Sequence, residues 1–434
     1  MGSDITDGAR KGRESLDQEM IRRMLLELGA DDAGFVEVER EELASQRQDA
    51  SALLPGARTF ISIVFRLHPE SLRTTIRSAA AAEYFHAERA GQETVRRALF
   101  KFTEMGVRAV AAPMGFPMEA SRWAGKLWTV EHKAVAAAAG LGSMGTSRIL
   151  LHPRFGAFVY LATILIDRQV GANGEPLDIS PCDHCNLCVS VCPTGAISRD
   201  GQFNFINCMT HTYRDKLGGF IDWAENVAEG DGRFALRRRV TDVEQIAMWQ
   251  SLAYHPVNKC DYCQAVCPAG QLQHPVYEQD KRSFTQQVVE PFQEMVETVY
   301  TPHGSDAADF VRRKFPHKRV KEVSHGIRPQ SIASFIQALP HLFQPEASTG
   351  LSCVYHLNFT GEETGQWTVT VRDKTIKVLK GLQQTADVVV TADSRTWLGF
   401  LAKERNIVWA IITRKVKVTG GLERFKAFGA LFPM

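Results

Sequence analysis

Cysteines have the clearest chemical potential of any residue type in this 434-residue chain. None lies in the first 181 residues, and eight of the nine fall between Cys182 and Cys267. The run Cys182–Pro193 has the spacing C-x2-C-x2-C-x3-C-P. In that spacing three neighbouring thiolates bind one iron–sulfur cubane, and the cysteine before the proline is carried to a second cluster. Clustering of this kind favours metal ligands over a disulfide framework.

A second run supplies the ligands that the first one demands. Cys260–Pro268 also ends in C-x3-C-P, and Cys208 stands alone between the runs. The spacing rule therefore predicts two [4Fe–4S] clusters with four ligands each. One set is Cys182, Cys185, Cys188 and Cys267, and the other is Cys192, Cys208, Cys260 and Cys263. Zinc competes for C-x2-C knuckles, but it needs only four ligands and leaves the C-x3-C-P ends unexplained. Isolated Cys353 is predicted to be a small buried apolar residue.

Helical and strand patterns alternate before the cysteines. They predict helices at 19–29 and 91–105 and strands at 59–65 and 107–112. Elements in this order indicate an α/β layer domain at 17–175.

A glycine-rich segment, Ala139–Thr146, lies between a helix from Val130 and the apolar run Ile149–Leu151. Such a loop lets the backbone approach a large ligand closely. A turn that ends a helix also favours glycine, so both interpretations stay open. The segment lacks the strand–turn–helix context of a dinucleotide fingerprint, and we find no convincing flavin or nicotinamide motif. Electrons are therefore expected from an external donor such as a ferredoxin or flavodoxin.

The order of these parts resembles the epoxyqueuosine reductases and the catalytic cores of the reductive dehalogenases. The resemblance rests on the α/β domain, on His132–Ala136 leading into Ala139–Gly145, and on the double-cluster run, and covers roughly residues 17–275. It implies a nitroreductase-like α/β domain that holds cobalamin, with one cluster close enough to reduce the cobalt. The implied cofactor-binding residues are Gly140, Leu141, Gly142, Met144 and Gly145, and the implied catalytic residues are Tyr84 and His132.

One position departs from this resemblance. Epoxyqueuosine reductases carry a proton-donating aspartate shortly before the helix that leads to the glycine loop. The matching stretch here, Ala124–Thr129, has no carboxylate, and Glu119 and Glu131 are not clear substitutes. This difference weighs against the queuosine reaction. The net charge of +2 also weighs against a nucleic-acid partner.

The pattern changes after residue 327. Alternating strands are predicted at 351–359, 367–371 and 376–379, with a hairpin turn at Gly361. With Ala386–Val390 and Lys415–Gly421, this order resembles the sterol carrier protein type 2 (SCP2) domain over roughly 328–434. The resemblance implies an α+β fold with an apolar tunnel for fatty acyl or sterol-like molecules. The alternative is that these apolar side chains only fill a core.

The predicted domains follow from these parts. They are a polar tail at 1–16, the α/β domain at 17–175, a bacterial ferredoxin-like domain at 176–300 with an insert at 209–259, a linker at 301–327 and the SCP2-like domain at 328–434. The chain has neither an apolar run of membrane-spanning length nor an apolar leader. We therefore expect a cytoplasmic protein without a membrane span.

The leading hypothesis is an oxidoreductase, a cobalamin-dependent reductase in which two clusters pass electrons to a corrinoid that acts on a hydrophobic substrate. The alternative is an electron-transfer protein without cobalamin, whose C-terminal domain binds a lipid. A homodimer is expected because it is the commonest assembly of soluble proteins.

Overall fold

The computed structural model describes residues 15–119, 128–171, 174–230, 232–255, 257–402 and 404–432. The tail predicted at 1–16 and the stretch Ala124–Thr129 lie mostly outside these ranges. The described residues form two compact units. The first comprises residues 15–119, 128–191 and 261–293, and the second comprises residues 192–260 and 294–432, with the gaps given above. Among the described residues, no helix combines the length and apolar character that crossing a membrane requires.

The strands are β1 (Asp32–Glu37), β2 (Thr59–Arg66), β3 (Ala109–Ala111), β4 (Ser143–Met144), β5 (Leu150–Leu151), β6 (Val159–Ile166), β7 (Thr298–Pro302), β8 (Arg319–Val323), β9 (Cys353–Thr360), β10 (Gly365–Arg372), β11 (Thr375–Lys380), β12 (Val388–Asp393) and β13 (Val416–Thr419).

The α-helices are α1 (Gln18–Glu27), α2 (Arg47–Leu53), α3 (Pro69–Arg73), α4 (Arg77–Glu104), α5 (His132–Ala138), α6 (Leu187–Val191), α7 (Phe205–Thr212), α8 (Gly218–Ala228), α9 (Arg233–Arg239), α10 (Asp242–Ala253), α11 (Tyr262–Ala265), α12 (His274–Gln279), α13 (Lys281–Phe284), α14 (Glu290–Glu294), α15 (Ala307–Lys314), α16 (Ile332–Leu342), α17 (Ser394–Leu401), α18 (Ile407–Ile412) and α19 (Leu422–Ala430).

An antiparallel sheet in the order β1-β2-β6-β3 forms the centre of the first unit. Strand β2 is buried at every residue except its last. Its Ile61 and Ile63 pack in a core with α1 and α4, and its Phe60 packs in another core with α5. Burial on both faces explains the β-branched run that predicted this strand. The predicted α/β layer class is confirmed.

Helix α4 begins well before the helix predicted at 91–105. Its first half carries no continuous apolar stripe, so residues 77–90 gave no strong helical signal. At Gly91 an added Cβ would lie 2.7 Å from Met114 Cε, so a glycine allows the close packing of this helix. The half that sequence reasoning missed carries Arg77 and Tyr84, which matter for the candidate site.

The second unit contains a sheet in the order β11-β10-β9-β12-β13, in which only β9 and β12 pair in parallel. Gly361 has φ +96° in the turn between β9 and β10, which confirms the predicted hairpin. Helices α16 and α17 bring Phe335 and Trp397 together, with ring centroids 5.7 Å apart. Cys353 is 2% exposed and is, as predicted, a buried residue of this sheet.

The segment predicted as a linker at 301–327 is folded. Strands β7 and β8 pair in parallel on either side of α15, and Val299, Val311 and Phe315 are buried between them. Helix α15 is short and places three basic residues in its last turn. The segment was predicted as a linker for two reasons: it is rich in basic residues, and its apolar residues are few and widely spaced.

Candidate iron–sulfur and redox site

The first predicted ligand set lines a single pocket in the first unit. The pocket is formed by Cys182, Cys185, Cys188 and Cys267 together with Gly145 and Thr146 of the glycine loop. The cysteines come from two distant segments, which meet because α6 packs against α11. The structure therefore brings together the four thiols that the spacing rule grouped.

The loop between the first three cysteines has an unusual backbone. His184 and Asn186 adopt φ values of +56° and +62°, although neither is glycine. Asn186 Nδ2 donates to the His184 carbonyl oxygen at 2.8 Å, which holds this turn. Left-handed residues in a turn can direct successive backbone N–H groups into a concavity that favours an anion, as in many iron–sulfur sites.

The thiols of this pocket resist ionisation by themselves. Burial raises the pKa of Cys267 to about 12, and the neighbouring cysteines add to the rise. Burial likewise raises the pKa of Cys185 to about 12. Both thiols would stay protonated at neutral pH, so a set of thiolates here requires the positive charge of bound iron.

The other predicted set is divided between the units: Cys192, Cys208 and Cys260 belong to the second, and Cys263 belongs to the first. Within the second unit, Cys208 Sγ lies 3.6 Å from Thr212 Oγ1 on α7. The N–H of Lys259 donates to the Thr212 carbonyl oxygen at 3.0 Å, which holds the segment of Cys260 beside that helix. Their assignment to one cluster stays a prediction.

Sequence reasoning missed Thr146 as a site residue. Its Oγ1 lies 3.6 Å from Cys182 Sγ and 3.2 Å from His184 Nδ1. Hydrogen bonds to ligand sulfurs are one means by which a protein sets a cluster's reduction potential. Its only sequence signal was its place at the end of the glycine segment.

Three glycines of the loop pack closely against the chain itself. An added Cβ would lie 2.6 Å from the Glu175 carbonyl oxygen at Gly140 and 2.5 Å from the Leu151 carbonyl oxygen at Gly142. At Gly145 it would lie 2.7 Å from Leu151 Cδ1. Contacts with β5 and residue 175 therefore explain why these positions are glycine, without a ligand.

The remaining loop candidates differ from each other. Leu141 is 6% exposed and packs with Val64 and Phe155, whereas Met144 is 39% exposed. Only Met144 offers an accessible side chain to a large ligand.

Tyr84 is engaged with the second cysteine run. Its hydroxyl donates to Gln264 Oε1 at 2.5 Å, and Gln264 Nε2 donates to the Ala157 carbonyl oxygen at 2.6 Å. Two helical turns earlier, Arg77 forms an ion pair with buried Asp261. Helix α4 therefore holds the segment that carries the C-x2-C ligands, a role that the sequence did not suggest for it.

His132 has both ring nitrogens occupied. Nε2 lies 2.8 Å from the Pro113 carbonyl oxygen, and Nδ1 lies 2.8 Å from Thr163 Oγ1. Because a carbonyl only accepts, Nε2 carries the proton and Nδ1 accepts from the threonine. Burial lowers the pKa of His132, which favours this neutral form. In this arrangement the ring has no nitrogen available for a substrate.

A cavity of about 410 Å³ opens beside Gly140 in the first unit. Its wall contains Asp32, which accepts from Arg22 at 2.7 Å and from His152 Nε2 at 3.1 Å. Burial alone would raise the pKa of Asp32, but the hydrogen bonds from His152 and Ala33 and the charge of Arg22 lower it. The cavity is lined by both charged and apolar side chains, and its volume suits a small molecule.

Known protein families match two segments of the chain. Residues 176–198 match the 4Fe-4S binding domain family, and residues 336–433 match the SCP-2 sterol transfer family. The first match contains the first cysteine run, and the second nearly coincides with the predicted SCP2-like domain.

Known proteins named epoxyqueuosine reductase are similar to part of this chain. The protein from Bacillus cereus is 26% identical over 220 residues, which are 48% of this chain and 54% of that protein. The protein from Cyclobacterium marinum is 24% identical over 237 residues, 53% of this chain and 64% of that protein. The chain thus spans about half to just under two thirds of the length of these relatives.

A solved structure of epoxyqueuosine reductase from Streptococcus thermophilus aligns with 76% of this chain and 83% of that chain at 16% identity, with a TM-score of 0.36. That similarity is too distant to place any residue. The sequence matches carry the conclusion: the chain joins a region similar to the epoxyqueuosine reductases and a 4Fe–4S binding module to a domain of the SCP-2 sterol transfer family.

Proposed function

We propose that this protein is an iron–sulfur reductase, in which two [4Fe–4S] clusters carry single electrons from an external ferredoxin or flavodoxin to a substrate site in the first unit. The observation that carries the proposal is the convergence of four cysteines on one pocket that the glycine loop also lines. The relatives that match about half of the chain are named epoxyqueuosine reductase. A cluster bound in that pocket would lie in the same unit as the predicted α/β domain.

Cobalamin would supply a cobalt centre able to accept electrons and react with the substrate. The glycines that the resemblance assigns to it pack against Leu151 and Glu175, and this disagrees with a corrin cradle. Tyr84 and His132 are hydrogen-bonded to the protein rather than directed at an open site. We therefore assign no step to cobalamin, and versions of the proposal with and without a corrinoid are separated by experiment.

The test is anaerobic reconstitution with iron and sulfide, with and without hydroxocobalamin, followed by gel filtration and metal analysis. About eight iron atoms per chain support two [4Fe–4S] clusters. Retained cobalt at one atom per chain identifies a corrinoid protein. Without retained cobalt, the clusters either reduce the substrate directly or only transfer electrons to another protein. Reduced protein is then offered epoxyqueuosine and apolar halogenated or oxygenated compounds. Bound zinc without iron would overturn the proposal.

A second function is suggested for the C-terminal domain, namely binding of an apolar molecule that carries a hydrogen-bond acceptor. Trp397 is 2% exposed, and its indole N–H has no acceptor among the described residues. Aromatic rings surround it, with Phe359 and Phe400 centroids at 5.8 Å. An unpaired buried donor is unfavourable, and a ligand carboxylate, carbonyl or hydroxyl would satisfy it.

The variant Trp397→Phe tests this second function, because it keeps an aromatic ring and removes the donor. We expect the affinity for a fatty acid to fall by about tenfold, which corresponds to one lost hydrogen bond. The affinity for a hydrocarbon of similar length should change little. An equal loss for both ligands would show that the indole only fills space.

A further inference from the structure

Helix α18 of the second unit turns an apolar face to solvent. Val408, Trp409 and Ile412 are 60%, 67% and 71% exposed, and Ala410 is the buried residue of this helix. At about 100° per residue, the three exposed positions fall within an arc of about 100°. A surface helix ordinarily places polar residues on its outer face, whereas all six residues of α18 are apolar.

Helix α18 is stabilised by side-chain hydrogen bonds at both ends and by packing against a strand. The side chain of Asn406 caps the helix by accepting from the backbone N–H groups of Val408 and Trp409, at 2.8 and 3.3 Å. Thr413 Oγ1 donates to the Trp409 carbonyl oxygen at 2.8 Å. The helix also packs against edge strand β13. Its apolar residues are thus presented to solvent by local structure.

Basic residues flank helix α18 in the sequence. Residues 404–419 contain four basic residues and a single acidic one, Glu404. The basic residues are Arg405, Arg414, Lys415 and Lys417. All four are exposed, and none forms an ion pair with an acidic side chain in the part of the chain that the structure describes.

Their placement along the chain keeps the charges together. Arg405 precedes the cap of α18, and Arg414 and Lys415 follow the helix directly. On β13, Val416 is 1% exposed whereas Lys417 is exposed, so Lys415 and Lys417 alternate with a buried residue. Arg405 and Lys415 also both lie within electrostatic range of Asp393.

We propose that this face docks the SCP-2 family domain onto an anionic lipid surface. Tryptophan favours the boundary between headgroups and acyl chains, and aliphatic neighbours add apolar contact there. Arginine and lysine beside such a face are attracted to anionic headgroups. Helix α18 has six residues, far fewer than the roughly 20 that span a bilayer, so it lies on the surface.

Helix α10 has a similar exposed apolar face but different charges beside it. Val243, Ile246 and Trp249 on that helix are 76%, 56% and 59% exposed, comparable to the face of α18. Unlike α18, this helix carries two acidic residues in its own first turn, Asp242 and Glu244, and Asp242 pairs with Arg237 at 3.4 Å. Carboxylates on the helix itself oppose the attraction to anionic lipid that basic residues supply. Trp249 is therefore a matched control for Trp409.

The experiment is co-sedimentation of the full chain with phosphatidylcholine vesicles, with and without phosphatidylserine, at low and high salt. We expect binding only to vesicles that contain phosphatidylserine, and weaker binding at high salt. The variant Trp409→Ser should lose most of the binding, and Trp249→Ser should retain it. Each of Arg414→Gln, Lys415→Gln and Lys417→Gln should weaken binding by about fivefold. Circular dichroism confirms that each variant is folded.

Three outcomes would overturn the proposal. Equal binding to both kinds of vesicle would remove the role of the basic residues. An equal loss in Trp249→Ser and Trp409→Ser would remove the assignment to α18. Finally, absence of vesicle binding together with a concentration-dependent dimer that Trp409→Ser dissociates, measured by analytical ultracentrifugation, would assign the face to a second copy of the chain.

Discussion

The hydrogen bond from Tyr84 to Gln264 yields a prediction that separates catalysis from positioning. The variant Tyr84→Phe keeps the ring and removes only the hydroxyl that donates to Gln264 Oε1 at 2.5 Å. The glutamine keeps its other bond, from Nε2 to the Ala157 carbonyl oxygen. One net hydrogen bond plus a part-buried acceptor left unpaired amounts to about 1–2 kcal/mol.

Thermal unfolding of the reconstituted protein, followed by circular dichroism under anaerobic conditions, measures this loss. For a unit of this size we expect Tm to fall by about 2–4 °C per kcal/mol. A double-mutant cycle with Gln264→Leu isolates the pair, because Tyr84→Phe should cost little once the acceptor is gone. Electron paramagnetic resonance of the reduced clusters reports any change at the neighbouring ligand segment.

A different result would refute the positioning role. If Tyr84 is a proton donor to substrate, Tyr84→Phe lowers turnover by about a hundredfold or more, while the stability and the cluster spectrum stay unchanged. Additive stability effects of Tyr84→Phe and Gln264→Leu would also contradict the reasoning, because the two side chains would then act independently.

Two further predictions concern stability. Gly142→Ala places a Cβ 2.5 Å from the Leu151 carbonyl oxygen and should lower the free energy of unfolding by about 2 kcal/mol. The control Gly429→Ala lies in an open position of α19 and should have no cost. Equal Tm values for the two variants would refute the close packing at Gly142. Burial would raise the pKa of Glu244, but hydrogen bonds from Lys321 and the N-cap outweigh it and lower the pKa. Its ionised form is therefore favoured in the fold, so Glu244→Gln should cost on the order of 1 kcal/mol at neutral pH, and the difference from wild type should vanish as pH falls below the folded pKa. A difference in Tm that grows towards acid pH would show the opposite sign.

The sequence predicted the features that depend on local spacing. The spacing of Cys182, Cys185 and Cys188 and the strand β2 are encoded by neighbouring residues, and the structure places these three cysteines in one pocket and the strand where it was expected. Cys267 was grouped with the first run by a spacing rule, although it lies far along the chain. It lines the same pocket.

The parts that sequence reasoning missed depend on distant contacts. The ion pair of Arg77 with Asp261 joins residues 184 positions apart, and the bond of Tyr84 with Gln264 spans 180 positions. No local pattern announces such a pair. The segment at 301–327 was misjudged for a related reason, because β7 becomes a strand only by pairing with β8 across α15. The glycines of Ala139–Gly145 show the opposite error. Their pattern resembles a ligand-binding loop, but close packing against the chain itself explains why these positions are glycine.

The central claim is that Cys182, Cys185, Cys188 and Cys267 bind one iron–sulfur cluster. The most direct measurement is the iron content and electron paramagnetic resonance spectrum of reconstituted Cys267→Ser beside wild type and the control Cys353→Ser. Wild type and Cys353→Ser should each hold about eight iron atoms and give two reduced-cluster signals. Cys267→Ser should lose or alter one signal and keep the other. An unchanged Cys267→Ser spectrum, or a loss of iron in Cys353→Ser, would contradict the account.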